Sequence, residues 1–230
     1  MIPWRELGRA QVGDQPLVLA QRGDEYAIRV RGAELMNSRQ HASEDALANL
    51  AIGIAGLART PNARVLVGGL GMGFTLRAAL DALRPDARVR VVELVPEVVA
   101  WNREHLGHLA GQPLGDPRVQ LDVGDVAAAI RETREPWNAI LLDVDNGPDA
   151  FTSPANAALY GLKGLQAARR ALVPGGVLAV WSVENDARFS DRLRGVGFAV
   201  DVQRVLARPN TKIKHVIWLA CAPTGRGQRT

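Results

Sequence analysis

A chain of 230 residues with 47% apolar and 23% charged side chains has material for one well-cored domain with a small appendage, and no stretch is poor enough in apolar residues to form a disordered body. Its formal charge of +4 comes from scattered arginines, with Lys163, Lys212 and Lys214 the only lysines, so no basic run tracks phosphates and no nucleic-acid partner is expected. The single cysteine, Cys221, excludes an intrachain disulfide and a thiolate metal cluster; with no signal-like apolar core in residues 1–10 and no run of about 20 apolar residues, no membrane association is expected and the default location is cytoplasmic.

Pro16 to Ala20 and Glu25 to Val30 read as two short strands, with Gly23-Asp24 able to supply a hairpin turn between them. Residues 1–42 are therefore expected to form a small N-terminal β-hairpin extension. From Ser43 to about Arg59 the period turns helical: Leu47, Leu50, Ile54 and Leu57 recur at three- and four-residue steps behind Ser43 as the cap and Glu44 and Asp45 in the first turn. Beyond Pro61, strand candidates Arg64 to Gly68, Val89 to Leu94, Val119 to Val123, Ala139 to Asp143 and Val177 to Trp181 alternate with helical stretches after each of the first four. Such alternation calls for a parallel sheet, because each crossover helix must bury its apolar stripe on the sheet it crosses. After Asn185 a short helix precedes two strands, Phe198 to Val205 and His215 to Cys221, joined by a loop holding Pro209 and Asn210; with no helix between them they should pair antiparallel. The expected fold is α/β, doubly wound and Rossmann-like, with a mostly parallel seven-stranded sheet over residues 43–223 and a solvated tail at 224–230.

Gly68, Gly69, Gly71 and Gly73 sit where the first core strand becomes a helix. Glycines there allow a sharp turn and a close ligand approach, although a turn required by the fold alone would use them equally well. Phe74 occupies the position where a dinucleotide fingerprint needs its third glycine, so the spacing suits a ligand lacking a pyrophosphate. Glu93, twenty-two positions beyond Gly71, ends the neighbouring strand just before Leu94, where a carboxylate can take both hydroxyls of a ribose. Gly124 and Asp125 close the third strand at the same edge; Asp125 can accept from an adenine amino group, cap the following helix, or do both.

In order, VLVGGLGMGFTLR, VRVVELVPEVV, DPRVQLDVGD, NAILLDVDNGPDAFT and ALVPGGVLAVWS resemble the spermidine synthase-like branch of the class I S-adenosylmethionine-dependent transferases over about half of the chain, from Arg64 to Ser182. The resemblance implies Gly69, Gly71 and Gly73 around the methionine portion of S-adenosylmethionine or its decarboxylated form, Glu93 and Leu94 at the ribose, and Gly124 and Asp125 near the adenine. It also implies Asp143 as the acid that binds and deprotonates an attacking amine, and a homodimer. This sequence departs from the family where its GGLGMGFT loop carries no acid against GGGDGGT, where Val95 stands in ELVPE against EIDPE, where Ala42 in HASED replaces a tyrosine, and where the acceptor motif reads Asp143-Val144-Asp145-Asn146-Gly147-Pro148.

The sulfonium is already activated, so the protein needs mainly to position a nucleophile, exclude water and remove a proton; no metal is required. Asp143 at a strand end is the candidate base or amine anchor, with ordinary turn chemistry before Gly-Pro as the alternative. Asp145, Tyr160 and Gln40 are candidate contacts to a small-molecule acceptor. His105 and His108 share a helical spacing with no third ligand nearby, and no G-x-S-x-G elbow occurs. Trp137, Trp181 and Trp218 are expected in the core, while Trp4 and Trp101 have no assignment. Three readings follow: a small-molecule methyltransferase, favoured by the acid-free loop; an aminopropyltransferase using decarboxylated S-adenosylmethionine and a polyamine; and a cofactor-binding protein without catalysis.

Overall fold

A computed structural model describes residues 2–144, 159–208 and 211–225; Asp145, the loop residues Pro209 and Asn210, and positions 226–230 lie outside the described residues. The N-terminal part is a four-stranded antiparallel meander in the order β1 (Arg5–Val12), β2 (Gln15–Arg22), β3 (Glu25–Val30), β4 (Ala33–Asn37). The expected hairpin is only its central pair. The outer strands escaped the sequence because β1 carries Arg5, Glu6, Arg9 and Gln11 and buries only Ala10, so it shows no apolar run, and β4 is five residues long. The turn from β3 to β4 is Arg31-Gly32, both at positive φ (51° and 79°), the backbone that joins twisted strands tightly.

Helix α1 (Ala42–Ile54) starts and stops differently from its expected span. Ser43 is not the cap: His41 holds that position without a side-chain bond, and Ser43 is fully buried. The helix ends at Ile54 because Gly56 adopts the left-handed conformation (φ 66°), and Leu57–Arg59 forms a separate 3₁₀ turn.

The core then follows as β5 (Arg64–Gly68), α2 (Phe74–Ala82), β6 (Arg88–Glu93), α3 (Pro96–Trp101), β7 (Val119–Val123), α4 (Val126–Arg131), β8 (Trp137–Leu142), α5 (Leu162–Arg170), β9 (Leu172–Ser182), α6 (Ala187–Gly195), β10 (Ala199–Leu206) and β11 (Lys214–Cys221). The seven-stranded sheet runs β10-β11-β9-β8-β5-β6-β7, parallel from β5 to β9, with β11 antiparallel to both β9 and β10. Strand β9 starts five residues before its expected position and carries Pro174 and Gly175. It tolerates them because the ladder shifts register there, from Trp137 opposite Leu172 to Ala139 opposite Val177.

Alternation along the strands divides the core in two. Val65, Val67, Ala139, Leu141, Val177 and Ala179 pack toward α1, α2 and the small sheet, whereas Leu66, Ile140, Leu142, Leu178 and Val180 pack toward α4, α5 and α6. Trp137, Trp181 and Trp218 are buried. Trp101 is buried too, its indole against Gly8, where a Cβ would collide with it. Trp4 lies between the guanidinium groups of Arg22 and Arg29, 4.5 and 4.2 Å from its ring. His108 is exposed and meets Tyr26 edge-on at 5.6 Å.

Strand β5 lies between β6 and β8, and the chain crosses over in opposite directions on its two sides. The resulting crevice opens at the carboxyl ends of β5, β6 and β8.

Trp218 is fully buried, donates its indole N–H to Ser190 Oγ at 2.9 Å and meets Phe189 edge-on at 5.0 Å. Trp218→Ala is expected to cost about 3–5 kcal/mol, read as a lower denaturant midpoint in an equilibrium unfolding curve; a change under 1 kcal/mol would contradict this placement.

Candidate functional site

The glycine loop is held on three sides. The Gly69 N–H donates to the Val92 carbonyl at 2.9 Å, and the Asp143 N–H donates to the Gly68 carbonyl at 2.9 Å, tying the loop to both flanking strands. Gly69 is at φ 87°, and a Cβ there would run into the Asp143 carbonyl, so only glycine lets the two backbones touch. From α3's end, Asn102 Nδ2 donates to the Gly71 carbonyl at 2.7 Å and to the Val98 carbonyl at 2.9 Å. Asn102 went unnoticed in the sequence because it lies thirty-one positions from Gly71 in a stretch with no motif.

Gly69, Gly71, Glu93, Leu94, Gly124, Asp125 and Asp143 converge on one cavity, roofed by Leu17, Ile28 and Met36 of the small sheet. Gly73 does not line it. Gly73 precedes the first residue of α2, and a Cβ on it would meet Pro113 and Asn102 on the side away from the cavity. Glu93 is buried; its Oε2 accepts from the Leu70 N–H at 2.8 Å and its Oε1 from the Val95 N–H at 2.9 Å. Burial raises its pKa, and the backbone donors pull it back down. Asp125 caps α4, its Oδ1 accepting from the Ala127 N–H at 2.8 Å. Leu94, 47% exposed, offers an apolar wall. A Cβ on Gly124 would meet nothing within 4 Å, and one on Gly71 would meet only the Met36 side chain, so bare backbone faces the cavity. A flat, hydroxyl-bearing nucleoside fits this combination of apolar walls, open backbone and one buried carboxylate.

A second cavity of about 370 Å³ shares Leu35, Met36, Gly71 and Asp143 with the first. Its wall adds Glu34, Gln40, Glu44, Met72, Trp181 and His215, and no Lys or Arg is among the described residues that line it. Asp143 Oδ2 accepts from the Thr75 hydroxyl at 2.6 Å. Burial pushes the Asp143 carboxyl up to about 6; the Thr75 hydrogen bond opposes the shift and the Glu93 charge adds to it. Glu44 is pushed up to about 8, first by burial and next by the charge of Asp143, so its carboxyl holds a proton more tightly than an ordinary glutamate does. Sequence reasoning passed over Glu44 as a first-turn acid, because nothing local shows that α1 turns it toward the end of β8.

Gln40 lines this second cavity. Tyr160 does not reach either cavity: it is 2% exposed and sits edge-on to Phe189 at 5.6 Å in the core beneath α6. Its place just before α5 turns it under the sheet and away from the crevice. Asp145 lies outside the described residues.

No protein-family model matches the chain. A stretch of 126 residues, 53% of the chain, is 33% identical to polyamine aminopropyltransferase 1 of Streptomyces coelicolor and covers 22% of that protein. Another of 125 residues, 54% of the chain, is 34% identical to the polyamine aminopropyltransferase of Prochlorococcus marinus and covers 42% of it, and 89 residues, 37% of the chain, are 38% identical to that of a Synechococcus species and cover 28% of it. The matched part spans less than half the length of each of these relatives. In fold, a spermidine synthase crystallised with a transition-state analogue superposes with a TM-score of 0.75 at 18% identity, over 96% of this chain and 74% of that one. The spermidine synthase of Thermotoga maritima gives 0.74 at 19%, with the same coverage. The resemblance to the spermidine synthase-like branch therefore holds in sequence over about half the chain and in fold over nearly all of it.

Because the folded-state pKa of Glu44 lies above its ordinary 4.5, the folded protein binds the extra proton, and this group's contribution to stability falls as pH rises from about 4.5 to about 8. Glu44→Gln, whose amide can donate to or accept from the Ser43 hydroxyl, is expected to be near-neutral at pH 4.5 and stabilising by about 1–3 kcal/mol at pH 8, or ~2–4 °C in Tm per kcal/mol. Thermal melts of both proteins at the two pH values check this, and a gain that does not grow with pH would contradict it.

Proposed function

We propose that this protein transfers an alkyl group from an adenosyl sulfonium to an amine, and that the group is aminopropyl, carried by decarboxylated S-adenosylmethionine to a polyamine acceptor. The observation that carries this reading is the second cavity: Asp143, Glu44 and Glu34 line it, no Lys or Arg is among its described lining residues, and it opens onto the nucleoside cavity at Asp143. Asp143 and Glu44, half-buried with no Lys or Arg beside them among the described residues, attract an ammonium ion, because a cation placed between them recovers the electrostatic energy that desolvation costs each carboxylate, while the exposed Glu34 adds negative charge at the cavity's edge. The sequence similarity to polyamine aminopropyltransferases supports the same choice, which reverses the order in which the acid-free glycine loop ranked methyl and aminopropyl transfer.

Glu93 would take the ribose hydroxyls, Gly124, Asp125 and Leu94 would border the adenine, and Gly69 and Gly71 would let the sulfur-bearing chain lie against bare backbone. The bound sulfonium supplies a carbon already primed for displacement, so transfer forms an N–C bond as the C–S pair returns to sulfur. Asp143 does the remaining work: its carboxylate, fixed by the Thr75 hydroxyl, orients the ammonium and accepts the proton that frees the nitrogen lone pair. The small sheet closes over both cavities through Leu35 and Met36 and excludes water.

Methyl transfer remains as a second reading on one observation. Met72, buried in the glycine loop and lining the second cavity, puts a thioether where a carboxylate would hold the amino end of an aminopropyl chain.

The released nucleoside separates the two. With a diamine as acceptor, decarboxylated S-adenosylmethionine should yield 5′-methylthioadenosine, while S-adenosylmethionine should yield no S-adenosylhomocysteine. Accumulation of the latter alone would overturn the aminopropyl assignment. Asp143→Asn is expected to lower turnover by about 10²–10⁴-fold with 5′-methylthioadenosine affinity, read by calorimetry, within about threefold of wild type; undiminished turnover would remove Asp143 from the chemistry.

A further inference from the structure

The acids of the second cavity raise a question of proton traffic. Glu44 lies in the cavity wall at the start of α1, and its Oε2 is 2.6 Å from the Ser43 hydroxyl. The Ser43 oxygen is in turn 2.9 Å from Nδ1 of His215 on β11, one hundred and seventy-two positions away. Ser43 is fully buried, so its hydroxyl has no water to turn to, and the two partners occupy it from either side. His215 is half-buried, lines the same cavity and packs edge-on to Trp181 at 4.7 Å; burial lowers its pKa and keeps the ring neutral at pH 7.

We propose that Glu44, Ser43 and His215 form the proton exit of the acceptor chamber, in which Ser43 couples the charge of Glu44 to the tautomer of His215. This rests on the reading of the chamber as an amine site. A hydroxyl has one hydrogen to give, so the chain has two self-consistent states. With Glu44 protonated, its O–H donates to Ser43, Ser43 donates to Nδ1, and His215 carries its hydrogen on Nε2. With Glu44 ionised, Ser43 donates to the carboxylate, and Nδ1–H of His215 donates to Ser43.

An ammonium ion entering the chamber favours the ionised form of both acids, and the proton on Glu44 must leave. The Glu44 hydrogen passes to Ser43 Oγ as the original Ser43 hydrogen passes to Nδ1, and the imidazolium so formed releases its Nε2 hydrogen to solvent. One O–H bond breaks and one forms at Ser43, one N–H forms and one breaks at His215, and one net proton leaves. The charged or titratable groups facing this chain are Asp143 at the end of β8, Asp45 beside Glu44 on α1 with its partner His41 (Nδ1 to Oδ2 2.9 Å), and Glu34 of β4 in the cavity wall. None of these is hydrogen-bonded to Ser43 or His215 among the described contacts.

The test is long-range ¹H–¹⁵N spectroscopy of the imidazoles in the full chain, with His215 assigned through His215→Gln. His215 should carry its hydrogen on Nε2 at pH 7 and on Nδ1 at pH 9.5, and 1,4-diaminobutane added at pH 7 should produce the Nδ1–H form. In Ser43→Ala the tautomer should follow neither change, and kcat should fall at least ~10-fold while KM and 5′-methylthioadenosine affinity stay within about threefold. A His215 tautomer fixed across both changes in the wild type would overturn the relay, as would unchanged kcat in a folded Ser43→Ala protein. A tautomer that follows pH but ignores the diamine supports the coupled chain and overturns the amine-site reading instead.

Discussion

The contact on which the rest of the structure depends is the one between Gly69 and the Asp143 carbonyl. Strands β5 and β8 lie side by side and parallel, so the loop after β5 turns beside the end of β8 at contact distance. A residue with a side chain would force the two ends apart. Glycine there lets Asp143 stand in the wall shared by the two cavities. Asn102 then fixes the far side of the loop from α3, so the glycines are held rather than merely permitted to turn.

Around that contact the protein gathers acids whose ionisation burial disfavours, which a design for stability alone would avoid. Glu93, Asp143 and Glu44 all have raised pKa values, and burial is the first cause in each. Glu93 is compensated by backbone N–H groups and Asp143 by a threonine hydroxyl, whereas Glu44 has one serine hydroxyl and a repulsive neighbour. The compensation is graded: two backbone donors for Glu93, one threonine hydroxyl for Asp143, and for Glu44 a single hydroxyl opposed by a nearby charge.

The small N-terminal sheet contributes no acid to the first cavity, yet it shapes both cavities. Its inner face supplies Leu17 and Ile28 over the first cavity, and β4 supplies Leu35 and Met36 at the junction. The main sheet alone would leave this crevice open to water on one side. A lid made of a packed meander, with its apolar residues continuous with the main core, excludes water without depending on a loop closing.

Much of this was legible in order along the chain. The alternation of β-branched runs with helical periods determined the doubly wound sheet, since parallel strands demand crossovers and crossovers demand two covered faces. The glycine spacing, Glu93 at one strand end and Asp143 at another placed these residues around one cavity, because strand ends in such a sheet necessarily share an edge. Beyond the reach of the sequence were the outer strands of the small sheet, whose charged faces hide their period, and the side on which Tyr160 and Gly73 fall. Glu44, Asn102 and His215 gave no signal and Ser43 read only as a helix cap, since what each meets across the fold lies on another element. Local periodicity encodes which face a residue takes within its own element; which foreign side chain meets that face is decided only when α1, the end of β8 and β11 pack together.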